Sequence, residues 1–355
     1  MVKRYGYLWD KVVDRSNLEL AFDNACEGHK HKRQVLEACA RRKDFLDEVE
    51  RLLRTKTYKS GEYRPQTIKE RGKVRVVYDT DFLHRVVHHA LMNVLKPILM
   101  NSIGEHSFAA MQGRGSHQAL MLTKDDMEED PEGTQYCFQF DIKQFFPSIP
   151  QKGMVEALDR KIKDPDVQWL YREIIYGFPS KDGRTIPIGN YTSQYFANYY
   201  LSPIDHFLKA VFHAKHFRHY MDDYVIFGKS KAWLRRVKGK VEGILKELDL
   251  TLKHNWQIYK VDARRGVDFV GYIRYRDEIG RTYALLRKRT VKRLKWVCKG
   301  IREKLASGEE ITEHGLGSLR SYKGVLQWGN CFNLGQKTVY PLLNNIGENQ
   351  HGIST

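Results

Sequence analysis

Cysteine is scarce in this chain of 355 residues: Cys26, Cys39, Cys137, Cys298 and Cys331 are odd in number and form no CxxC pair. That speaks against a disulfide framework or a cysteine-held zinc site, and for reduced thiols in a cytoplasm. No apolar run approaches the roughly 18 residues a bilayer span needs, so no membrane partner is expected. The opening MVKRYGYLWD has no apolar h-region of a secretory signal. Internal repeats and low-complexity tracts are lacking as well. Acid is in deficit: 60 Lys and Arg face 43 Asp and Glu, a formal net charge of +17. Such a balance suits a polyanion, because each phosphate neutralised releases condensed counterions. The excess is concentrated between Arg281 and Lys304, where ten basic residues face one acid, Glu303.

What is present reads as mixed helix and strand. Residues 1 to about 60 carry apolar positions at helical spacing, such as Leu46, Val49, Leu52 and Leu53. YRPQTIKERGKVRVVYDT predicts two strands around a Gly turn, and a helix is expected from about Asp81 to Met100. KDDMEEDPEGT (124–134) shows no apolar periodicity and reads as an exposed acidic loop whose carboxylates offer a cation oxygen donors. Tyr136–Ile142 alternates as a strand, 193–212 reads as a buried helix, and GVDFVGYIRYRDEIGRTYALL as a hairpin turning near Asp277–Gly280. After Thr290, Val291, Leu294, Ile301 and Leu305 form an apolar stripe with the cations off it. Strands gathered in the centre and helices at the ends predict α+β, not alternating βαβ.

FRHYMDDYVIFG sets the adjacent carboxylates Asp222 and Asp223 at the turn of an apolar hairpin. One Asp is an ordinary turn residue. Two together, flanked by Tyr220, Met221, Tyr224, Val225 and Ile226, carry desolvation and mutual repulsion that divalent cations would offset. Asp141, closing the 136–142 strand, is a third carboxylate. If the strands share a sheet, Asp141 and Asp222 bridge two Mg²⁺ and Asp223 supports them. Oxygen donors favour Mg²⁺ over Zn²⁺, and paired metals serve in-line phosphoryl displacement. His213, His216 and His219, spaced at three, are expected to make polar surface and backbone contacts, not to bind metal.

These stretches resemble the reverse transcriptases. YMDD (220–223) resembles the family's signature hairpin and FDIKQFFPSI its first metal-binding strand. KERGKVRVV is similar to the fingers motif, HSFAAMQGRGSHQAL (106–120) to the second block, and DFVGYI (268–273) to the primer-grip hairpin. The resemblance implies a right-hand polymerase fold. Its parts would be an N-terminal helical extension (1–60), fingers (61–135), an antiparallel-sheet palm (136–280, with about 150–187 returning to the fingers) and a helical thumb (281–355). No RNase H or endonuclease domain is expected after the thumb.

The resemblance further implies that Asp141, Asp222 and Asp223 are catalytic and, with Ile142, hold two Mg²⁺, for which Mn²⁺ can substitute. Lys73 and Arg75 meet the triphosphate, Ile188 and Gly189 the nucleotide, and Phe146 lies under the incoming sugar. Phe145 or Phe146 as plain core is the alternative. A Lys expected where Trp256 falls is missing, and Lys253, close by but unaligned, is given no role. In IPIGNYTSQYF, Ile188 stands where relatives carry Gln, followed by Ser193 and Gln194. IGxxxSQ resembles the block of diversity-generating retroelements of bacteria, archaea and phages. It implies adenine-directed errors in cDNA copied from a template-repeat RNA in the cytoplasm of such cells. Template RNA, the cDNA–RNA hybrid, dNTPs and a small basic accessory protein are the expected partners. Arg114, Arg287, Lys288, Arg289, Lys292, Arg293 and Lys295 are candidate nucleic-acid contacts. A phage-defence or retron-like enzyme, and a non-catalytic RNA-binding relative, are the alternatives.

Overall fold

The computed structural model describes residues 3–70, 73–111 and 113–351, without the side chains of 69, 70, 73 and 347–351. Helices α1 (Trp9–Val13), α2 (Arg15–Cys26), α3 (Arg33–Ala40) and α4 (Arg42–Arg54) precede the hairpin β1 (Arg64–Glu70)–β2 (Lys73–Asp79) and the long α5 (Phe82–Met100). Then come α6 (Ser116–Glu129), β3 (Tyr136–Phe140), α7 (Phe145–Ser148), α8 (Gln151–Lys161), α9 (Pro165–Tyr176) and α10 (Tyr191–Ala210). The hairpin β4 (Phe217–Tyr220)–β5 (Asp223–Gly228), α11 (Lys231–Glu247), β6 (Gln257–Lys260), β7 (Val267–Phe269), β8 (Tyr272–Arg276) and β9 (Thr282–Leu286) follow. Four helices close the chain: α12 (Lys288–Ala306), α13 (Glu313–Leu326), α14 (Phe332–Lys337) and α15 (Val339–His351). None of the helices among the described residues is long and apolar enough to cross a membrane.

Two compact units emerge. The first holds 1–110, 141–213 and 237–254; the second holds 111–140, 214–236 and 255–355. These limits do not follow the expected linear boundaries at 60, 135 and 280. The expected N-terminal extension and the β1–β2 hairpin share the first unit. There α2 packs on α5, and Phe22 sits edge-on to Phe45 and Phe82 at 5.5 and 5.2 Å.

In the second unit, antiparallel pairing gives a four-stranded sheet in the order β4-β5-β3-β6. Cys137, Phe138, Phe140, Tyr224, Val225, Ile226 and Phe227 are buried in it, as apolar alternation and a central apolar strand require. A second sheet, β7-β8-β9, lies under a separate apolar cluster built by Leu294, Cys298, Leu319 and Leu342 of the terminal helices.

Part of the acidic segment 124–134 corrects the sequence reading. Residues up to Glu129 are the end of α6, and Asp126 and Met127 are buried. The missing apolar periodicity has a physical cause, since the inward face of this helix includes a carboxylate. Asp126 is neutralised by Arg218 at 2.7 Å and His216 at 2.8 Å. Arg276 then donates to the carbonyl of Met127 (2.8 Å), a group the helix end leaves open, and to that of Thr134 (3.3 Å) in the segment that follows.

Candidate active site

The YMDD hairpin is a two-residue turn, with Tyr220 opposite Asp223 and Met221–Asp222 between them. Met221 adopts a left-handed φ of +57°, a conformation that costs a non-glycine residue roughly 1–2 kcal/mol. His219 supports it from the adjoining strand. Its ring is fully buried, Nδ1–H donates to the Met221 carbonyl at 2.8 Å, and the imidazole stacks on Tyr224 at 4.4 Å. Tyr224 stacks in turn on Phe140 at 4.8 Å. This column fixes the turn whose two carboxylates, both half-buried, sit at the tip of the β4–β5 hairpin. Of the polar surface and backbone contacts expected of His219, the backbone contact is present, but the ring is buried and not at the surface. His216 lies between Asp126 and Asp130 (2.8 and 3.0 Å), and hydrogen bonding to Asp126 above all raises its pKa.

β3 ends at Phe140, opposite Tyr224, and Asp141 is the next residue along the chain. In the first unit Ile142 bridges Leu252, Lys143 N–H donates to Thr251 and Lys253 N–H to the Asp141 carbonyl. That short ladder brings Lys253 Nζ to 2.7 Å from the Asp141 carboxylate. Sequence reasoning left Lys253 without a role; the ion pair joins residues 112 apart, and no local pattern announces it. Among the described residues no group of three or more His, Cys, Asp or Glu is gathered as a metal site. The donors nevertheless suit a hard cation: half-buried carboxylates, one of which already holds an ammonium group close.

The nucleotide candidates of the first unit are drawn together by backbone bonds. The Ile188 carbonyl accepts from Tyr78 N–H of β2 at 2.9 Å, and Ile186 N–H donates to the Phe146 carbonyl at 3.3 Å. Gly189 sits at φ +108°, a backbone conformation that side chains rarely adopt, so this position beside β2 needs glycine for its backbone, not for lack of room. Ile188 and Phe146 are half-buried while Phe145 is core. Arg75 is exposed on β2; the Lys73 side chain lies outside the described residues. Ser193 is buried, and Gln194 lines a cleft of about 270 Å³ with Tyr191, His89 and Arg85.

In the second unit Arg114 is half-buried beside Gly113. Arg287 precedes α12 and is ion-paired with Asp268, which ties it to the β7–β8 turn. Lys288, Arg289, Lys292, Arg293 and Lys295 are exposed on α12.

No curated protein matches the chain at a significant level. A family model described as reverse transcriptase (RNA-dependent DNA polymerase) matches residues 64–273, more than half of the chain. That span takes in the β1–β2 hairpin, the Asp141 strand, the IGxxxSQ block, the YMDD turn and the DFVGYI stretch. The chain belongs to the reverse transcriptase family and is an RNA-directed DNA polymerase, with an RNA template and dNTPs as its substrates.

Proposed function

We propose that this polymerase serves a diversity-generating retroelement, copying a template-repeat RNA into cDNA with errors concentrated at template adenines. The observation that carries the reading is the IGxxxSQ block, with Ile188 hydrogen-bonded through its backbone to β2. An aliphatic side chain thus occupies the position where an amide would otherwise orient the incoming nucleotide.

Asp141, Asp222 and Asp223, with the Ile142 carbonyl, would hold two Mg²⁺ ions. When bound, these supply charge stabilisation to the attacking and leaving oxygens of an in-line displacement. Arg75, with Lys73, meets the triphosphate through charge-assisted bonds. Phe146 blocks a 2′-hydroxyl. Lys253 steadies Asp141, and the His219 column holds the carboxylate turn in its strained form. Most of the rate gain then comes from positioning and preorganised charge.

In this reading the central sheet is the palm, β1–β2 belongs to the fingers, and α12–α15 form a compact thumb. The cDNA–RNA hybrid runs against the basic helix α12, and a small accessory protein of the element completes the assembly.

The test is Asp222→Ala. Mg²⁺-dependent dNTP incorporation on a primed RNA should vanish; retained synthesis refutes the site. Sequencing the wild-type cDNA settles the subtype. Errors at adenine support the retroelement, whereas a faithful or untemplated product assigns a phage-defence enzyme.

A further inference from the structure

Helix α12 buries Leu294, Cys298 and Ile301. Trp296, two residues from both Leu294 and Cys298, therefore falls about 200° around the helix from each of them. It is 74% exposed. Large aromatic rings are ordinarily well covered, so an uncovered one is informative. Its neighbours on that surface, three and four residues away, are Lys292, Arg293, Lys299 and Gly300, all exposed. Lys288, Arg289 and Lys295 extend the same cationic face. The acid closest to it, Glu303, is engaged by Lys299 at 3.7 Å.

Beside the ring lies a cleft of about 470 Å³ whose lining mixes Lys299, Lys304 and His314 with Glu303 and the aliphatic Val297, Ile301 and Ile311. Open space lies beside Gly300, where a Cβ would meet nothing within 4 Å. The exposed neighbours of the ring along the helix are three cations and a glycine, a charge pattern that suits a polyanion, while the aliphatic side chains of the cleft are buried or half-buried.

We propose that the Trp296 face is a stacking platform for unpaired nucleotides of RNA. The indole takes an exposed base, the Gly300 opening admits it, and Lys292, Arg293 and Lys299 neutralise the flanking phosphates. Every base offers a π-face, so such a platform tolerates any sequence. A paired base has both faces occupied and gains nothing from the ring, which separates this role from simple tracking of a duplex backbone. The proposal rests on the RNA-copying reading and names the part of the RNA held: single-stranded segments outside the hybrid.

Two labelled RNAs of equal length, one unstructured and one a blunt duplex, test it by anisotropy with the full chain and no dNTPs. Trp296→Ala should weaken single-strand binding about tenfold or more, with less than a twofold change on the duplex. Trp296→Phe should retain most of the affinity. The salt slope of Trp296→Ala should stay at the wild-type value, while Lys292→Ala should lower it by about one. Equal loss on both RNAs overturns the proposal, as does an unchanged single-strand affinity, which would return the ring to a protein contact. Nothing is polymerised in this assay, so its failure leaves the carboxylate assignment standing, and the converse also holds.

Discussion

Ile188 illustrates how one side chain can set accuracy without touching the fold. Its backbone carbonyl does the structural work, accepting from Tyr78 N–H, while the side chain is only half-buried. Replacing it with Gln keeps the backbone bond and restores an amide able to donate and accept. One hydrogen bond contributes roughly 0.5–1.5 kcal/mol, three- to tenfold in discrimination. Ile188→Gln should therefore lower misincorporation opposite template adenine several-fold at unchanged thermal stability. Deep sequencing of cDNA made on one RNA reads this directly, and an unaltered adenine spectrum rejects the role. At this scale the sequence was informative about chemistry and silent about partners. Asp141 was legible from its strand; its ion pair with Lys253 was not, because the ladder that makes it joins distant segments.

Among the elements, those with clean periodicity were legible: α5, α10, β3, the β4–β5 hairpin and the β8–β9 turn all fall where the patterns put them. The end of α6 was not, because paired polar groups occupy part of its buried face and leave no apolar signature. The β4–β5 turn shows the reverse case, a motif obvious in sequence whose support is visible only in three dimensions. His219 holds the Met221 carbonyl and stacks on Tyr224, so it positions the carboxylates without meeting substrate. His219→Leu keeps bulk but leaves that carbonyl unpaired, a loss of about 1–3 kcal/mol. Incorporation assays should show kcat falling tenfold or more with KM for dNTP little changed. His219→Asn, which can still donate, should recover part of the rate. A KM defect alone would mean that the histidine shapes the nucleotide pocket instead.

For the whole molecule, titration should move the two units in opposite directions. In the first unit burial pushes His88 down to about 3 and His89 to about 4, so both stay neutral in the fold. Below the unfolded value near 6.5 the unfolded chain takes up protons that the native one refuses, and stability falls with pH. At pH 5.5 the fully buried His88 alone costs about 1.4 kcal/mol, roughly tenfold in opening. In the second unit His216 has the opposite sign. Its pKa is raised by Asp126 and Asp130, so its contribution is complete below 6.5 and disappears as pH climbs through the raised value. Asp130, lowered chiefly by the Gly133 N–H and by His216, stays ionised across this window. Hydrogen exchange at pH 5.5 and 8.5 should then show α5 losing protection in acid while β4–β5 loses it in base. His88→Leu should reduce the acid loss, with His89 carrying the remainder, and His216→Asn should abolish the alkaline one. If both segments weaken together at one end of the range, the histidines are not the titrating groups, and the assignment of opposite signs fails.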